Sequence, residues 1–182
     1  MVGIWREEGL DMAQGFRARS LGLPCFCDGI FQGFAWKELS EVRSEELPKS
    51  PGVYVLRLVD EGDVDGAIGF LRDIVDRVGW SELRGFVSAR LKRLERLKGR
   101  LESRGCPVIY IGSSKSLANR CAELAGRRHT AFLPVMALLV SGATIGFGFR
   151  ATANVGEAKA LERELKKRYG EVHGVMPPLV ER

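Results

Sequence analysis

Between Thr130 and Phe149 the chain carries no charged residue. A run of that length could cross a bilayer as one helix, so its punctuation decides what kind of protein this is. Pro134, the Ser141-Gly142 pair and the Gly146-x-Gly148 spacing cut it into a helix, a turn and a strand. The expectation is therefore a buried helix–strand pair in a globular core. Met1 to Arg6 runs into Glu7 and Glu8 with no apolar segment behind a basic start, so no secretory signal is read. The chain reads as cytoplasmic, with no membrane partner. Its 182 residues suffice for one well-buried domain with an appendage. The formal charge of +5 points to a polyanionic partner, nucleic acid before acidic membrane. Amides are confined to Asn119, Asn154, Gln14 and Gln32, a mild thermophile signature.

Residues 1–46 read as an irregular N-terminal extension whose Phe26, Ile30, Phe31, Phe34 and Trp36 cover part of a neighbouring core. Residues 47–182 read as the main domain. PGVYVLRLV, 51–59, has strand content, with Pro51 at its first position. EGDVDG, 61–66, resembles the front of a calcium loop, but the twelfth position is Arg72 where a glutamate is needed, so it reads as a solvated turn. Two amphipathic stripes follow, Ile68-Leu71-Val75-Val78 and Leu83-Val87-Leu91-Leu94-Leu97-Leu101. Joined at Gly79-Trp80-Ser81, they predict a helical hairpin filling about 61–105. Strand character returns at 108–111. Helix is expected from Leu117 and again over 129–140. ATIGFGFRA, 143–151, alternates Ile145, Phe147 and Phe149 against glycines, which predicts a third strand closely approached by something such as another backbone. A last helix is expected over 156–170, closed by Gly170, before an extended proline-containing tail.

The four cysteines are Cys25, Cys27, Cys106 and Cys121. Cys25-x-Cys27 has no second pair at zinc-finger spacing, so buried or idle thiols are preferred over a disulfide or a metal site. His173 reads as a loop residue.

Two phenols on adjacent strands, Tyr54 and Tyr110, join one guanidinium, Arg120, and one helix carboxylate, Glu162. Phosphodiester hydrolysis needs a cation to offset charge on the phosphorane, a metal to polarise it and a group to handle water. Arg120 offers a bidentate grip on phosphate. Glu162 can hold Mg²⁺ or Mn²⁺, with waters completing the shell. A phenol oxygen can position water or act as base. Singly, each residue has an ordinary role: a sheet tyrosine, a solvated arginine, a surface ion pair with Lys159, Arg163 or Lys166.

Here the chain resembles the GIY-YIG nuclease superfamily. Gly52-Val53-Tyr54 matches its first motif and Tyr110-Ile111-Gly112 its second. The run from Tyr110 to Arg120 matches the segment ending in the family's arginine, and Glu157-Ala-Lys-Ala-Leu-Glu162 its metal-binding helix. The resemblance covers residues 47–60 and 106–182. It implies an α/β fold of the α+β type, a three-stranded antiparallel sheet flanked by helices, here with a helical hairpin inserted between the two motif strands. It also implies a metal-dependent DNA endonuclease in which water attacks directly, with Tyr54, Tyr110, Arg120 and Glu162 catalytic and Glu162 the metal ligand. Pro177-Pro178-Leu179 lacks the asparagine common at the family's end. The position after the second motif is Ser113 rather than lysine, with Lys115 further on, and Leu124 stands where His or Tyr is frequent, with His129 as a nearby substitute. DNA contacts are expected from Ser113, Ser114, Arg127 and Arg128, and from the hairpin's Arg90, Arg93, Arg96 and Arg100. The segment 81–105 carries a net +5, equal to that of the whole chain. Two other readings stand beside this one. One is a nucleic-acid-binding module that keeps the fold without turnover. The other is an interaction module that forms a homodimer through the hairpin's leucine stripe.

Overall fold

A computed structural model describes residues 25–124 and 129–180. Four strands form one open antiparallel sheet: β1 (Ala35–Glu38), β2 (Gly52–Asp60), β3 (Val108–Ser114) and β4 (Thr144–Ala151), in the order β1-β4-β2-β3. Five α-helices complete the described chain: α1 (Val64–Arg77), α2 (Ser81–Arg104), α3 (Leu117–Leu124), α4 (Phe132–Val140) and α5 (Val155–His173).

β2 is buried from Gly52 to Leu58, and the period of two along it divides the core. Tyr54, Leu56 and Leu58 face a cluster shared with Leu71, Leu94, Leu97, Leu138 and Phe147. Helices α1 to α4 supply its outer wall. Val53 and Val55 face the other way, onto Phe31, Ile111, Leu165 and Tyr169. Helix α5 covers that side. The register between β2 and β3 slips after Leu56: Tyr110 sits opposite Leu56, and Val108 opposite Arg57. Ile109 is the extra residue of this bulge. Before it the pairing is regular, and Tyr110, opposite Leu56, shares the face of Tyr54 by the period of two.

The uncharged stretch resolves as expected into α4, the Ser141-Gly142 turn and β4. No described helix is long and apolar enough to cross a membrane. Between β2 and β3, α1 packs against α2, and Asp63 caps α1 by accepting from the Gly66 N–H at 2.7 Å. The leucine stripe of α2 packs within the chain. Val87, Leu94 and Leu97 are buried against neighbouring helices, while Leu83 and Phe86 at its start are exposed.

The sheet corrects four expectations. It has four strands, not three, because Ala35–Glu38, from the segment read as an irregular extension, pairs with β4. The glycine face of β4 is approached by an indole, not a backbone. A Cβ on Gly148 would lie 2.7 Å from two atoms of the Trp36 ring. Helix α5 runs past Gly170 to His173, since an interior glycine costs only about 1 kcal/mol. The stop is Gly174, whose φ of 71° provides the left-handed cap. His173 is accordingly a buried helix residue and not a loop residue.

If the bare face of Gly148 is what admits Trp36, Gly148→Ala should destabilise the fold by about 1–3 kcal/mol through overpacking. Adding Trp36→Ala should remove most of that difference. Urea denaturation of the single and double variants checks it, and additive costs would mean the two residues are not coupled.

Candidate functional site

β2 and β3 place Tyr54 and Tyr110 side by side, their rings stacked at 5.6 Å between centroids and 23° between planes. Gly112 lies opposite Tyr54 in the register. A Cβ there would come within 2.6 Å of the Tyr110 ring and 2.9 Å of the Tyr54 hydroxyl, so only a glycine leaves room for the paired phenols.

His129 closes the phenol pair from α4's side. The Ala131 N–H donates to His129 Nδ1 at 3.0 Å, which puts the proton of the neutral ring on Nε2. Nε2–H then donates to the Tyr54 oxygen at 2.6 Å. Burial pushes the Tyr54 phenol well above the usual tyrosine range, and the charge and hydrogen bond of Tyr110 add to this. Arg120 pulls the phenol down and Glu162 pushes it up. Tyr54 is thus a neutral, fully buried member of the group, while Tyr110 is half-buried and faces outward beside it.

Arg120 lies on α3 and pairs with Glu123 at 2.7 Å. Its Nε is buried and has no hydrogen-bond partner among the described residues. Glu162 projects from α5, on the other face of the sheet, and is reached around β3, which is the edge strand. Ser113, one residue out of phase with Gly112, points to that face and donates to Glu162 Oε2, while Lys166 holds Oε1. Both carboxylate oxygens of Glu162, the group's oxygen donors, are thus engaged. Lys115 stands exposed in the turn after β3. Ser114 is engaged in that turn, donating to the Ser116 carbonyl and accepting from its N–H.

The hairpin arginines have other partners. Arg93 is buried and donates to the Thr130 carbonyl at 3.3 Å. Arg96 donates to the Pro178 carbonyl, and Arg100 to the Tyr169 hydroxyl and the Met176 carbonyl. Arg90 lies over the Phe86 ring. Arg93, Arg96 and Arg100 tie α2 to α4's entry, to the C-terminal segment and to α5, Arg96 remaining exposed. Arg127 and Arg128 lie outside the described residues.

Sequence reasoning missed a second cluster on the α5 side. Cys25, Cys27, Cys106 and His173 bring their ligand atoms within 4.8 Å of one another. All four cysteines are free, with Cys27 and Cys106 buried beside half-buried Cys25, whereas Cys121 sits apart in the helix-covered core. Nothing local announces Cys106 and His173 as partners of Cys25-x-Cys27, because they are distant in sequence.

No family model, no curated protein and no solved structure matches this chain.

Tyr54→Phe removes the oxygen facing the buried His129 Nε2–H and should cost about 1–3 kcal/mol of stability. Tyr110→Phe, at a half-buried position, should unfold close to wild type. Equal urea midpoints for the two variants would show that the His129–Tyr54 contact contributes nothing.

Proposed function

We propose that the chain is a metal-dependent DNA endonuclease that hydrolyses phosphodiester bonds by direct attack of water. The observation that carries this reading is the electrostatic meeting at Tyr54. A guanidinium from α3 and a carboxylate from α5 both bear on one phenol, already stacked on a second and bonded to an imidazole. This meeting of an arginine, a carboxylate and two phenols from elements distant in sequence supports the reading.

In this reading the two tyrosines divide the work. Tyr54 stays protonated and, fixed by His129, orients the Tyr110 oxygen. Tyr110 is the phenol exposed enough to touch water and align it with phosphorus. Arg120 grips the phosphate, and its unpartnered buried Nε fits an anion at that place. Mg²⁺ or Mn²⁺ at Glu162 would supply charge to polarise the phosphoryl oxygen. The duplex would be followed by exposed Lys115, Lys159 and Arg163, which flank Ser113 and Glu162, rather than by the occupied arginines of α2.

A specific observation favours a second reading, a nucleic-acid-binding module without turnover. Both oxygens of Glu162 are already engaged, by Ser113 and by Lys166.

Nicking of supercoiled plasmid with Mn²⁺, with and without chelator, separates the two. Under the first reading, Glu162→Ala abolishes nicking and leaves the fold and DNA affinity near wild type. Arg120→Ala lowers the rate by about 10²–10³, as for loss of one preorganised donor, and Arg120→Lys rescues little. An unchanged rate in Glu162→Ala sinks the metal assignment, and binding without metal-dependent nicking establishes the second reading. Replacing Lys115, Lys159 and Arg163 together with Gln should flatten the dependence of log affinity on log salt by roughly 2–3. A slope that does not move puts the DNA elsewhere.

A further inference from the structure

The Cys25-x-Cys27 turn, Cys106 two residues before β3, and His173, the last residue of α5, converge at one point beneath the sheet. The thiols of Cys25 and Cys27 stand 3.3 Å apart, those of Cys27 and Cys106 3.8 Å apart, and Cys25 Sγ is 3.5 Å from His173 Nε2. Tetrahedral zinc with bonds of about 2.3 Å to sulfur and 2.0–2.1 Å to nitrogen requires S···S separations of about 3.8 Å and S···N separations of about 3.5 Å. These three spacings lie at or slightly inside these values, and all four ligand atoms lie within 4.8 Å of one another.

The surroundings are built as well. Asp28 accepts from the Cys25 N–H at 3.1 Å and pairs with buried Arg57 at 2.7 Å, which locks the cysteine turn to β2. Backbone N–H groups two residues ahead donate to two of the sulfurs, from Cys27 to Cys25 and from Val108 to Cys106. The Tyr169 hydroxyl lies 3.3 Å from Cys106 Sγ, takes a hydrogen bond from Arg100 at 2.9 Å, and its ring packs on His173 at 4.4 Å. Such outer donors orient ligands and spread the negative charge of clustered thiolates. Interactions among the thiols draw Cys106 below the usual range, chiefly through its hydrogen bond to Cys27, and push Cys27 up.

We propose that Cys25, Cys27, Cys106 and His173 bind one structural zinc ion that fastens the segment before β1 to the start of β3 and the end of α5. Four protein ligands close the coordination shell and leave no position for substrate, so the role is structural. Three thiolates and an imidazole select zinc over Mg²⁺ or Mn²⁺, which separates this site from the oxygen donors at Glu162. A disulfide between Cys27 and Cys106 is the rival arrangement, but it would use two of the four donors and leave Cys25 and His173 gathered for no purpose. The inference is independent of the proposed endonuclease activity.

The test uses the full chain, purified under reducing conditions and passed through gel filtration before elemental analysis. The expected result is one zinc per chain, replaceable by Co²⁺ with the visible absorption of tetrahedral thiolate coordination. Chelator should lower Tm, and added ZnCl₂ should restore it. Cys25→Ser, at the half-buried edge of the cluster, should stay folded by circular dichroism yet lose zinc on desalting. Cys121→Ser should keep the full complement. Folded, reduced protein that retains neither zinc nor cobalt overturns the proposal. So does equal zinc retention in Cys25→Ser, iron in place of zinc in the isolated protein, or a Cys27–Cys106 disulfide found by alkylation and mass spectrometry.

Discussion

The central strand β2 is the constraint on which the rest depends. It is hydrogen-bonded on both edges, to β3 and to β4, and covered on both faces. A strand in that position has no freedom to shift register without exchanging its two sets of side chains. Tyr54 therefore stays under the helices that follow it, and Val53 and Val55 stay under α5. Even Arg57 is drawn in, and its buried charge is met by Asp28 from the segment before β1. That pair joins the N-terminal residues to the sheet, where an unpaired guanidinium would be strongly destabilising.

Both candidate centres hang from this strand and its neighbour, on opposite sides. The phenol pair needs the register that sets Tyr110 opposite Leu56, and the bare Cα of Gly112, to lie together on the helix-covered face. Glu162 belongs to the opposite face and meets the group only because β3 is the edge, where Ser113 reaches it. The cysteine–histidine cluster lies deeper on that same side, where α5 ends. Helix α5 thus carries Glu162 three residues before Leu165 and His173 two turns beyond it, so that anchoring its C-terminal end also steadies the carboxylate.

Helix α2 links the two halves of the molecule. Its leucines face the other helices, while Arg96 and Arg100 reach the C-terminal segment and Tyr169. Long cationic side chains that look like a solvated stripe in one dimension are stems lying along the protein, with their heads on carbonyl and hydroxyl oxygens. A guanidinium can end several ångströms from the helix that bears it, so a count of charges along α2 does not say where they point.

Local pattern was enough for most of the elements. Strand β2, the α1–α2 hairpin, the α4–turn–β4 reading of the uncharged stretch, and the order that sets Tyr54 beside Tyr110 all follow from periodicities of two and 3.6 with their turn residues. These signals are contained within a few residues, so the sequence alone carries them. What only the tertiary structure decided depends on partners far along the chain. Ala35–Glu38 becomes a strand because β4 offers an edge and a glycine face that takes Trp36. Tyr54 is held neutral chiefly because the helices packed on the sheet bury it, and its oxygen is met by His129, 75 residues on. Cys25 meets His173 across 148 residues because the sheet brings the two ends of the chain together. No composition, spacing or periodicity encodes such a meeting; it exists once the long-range pairings have formed.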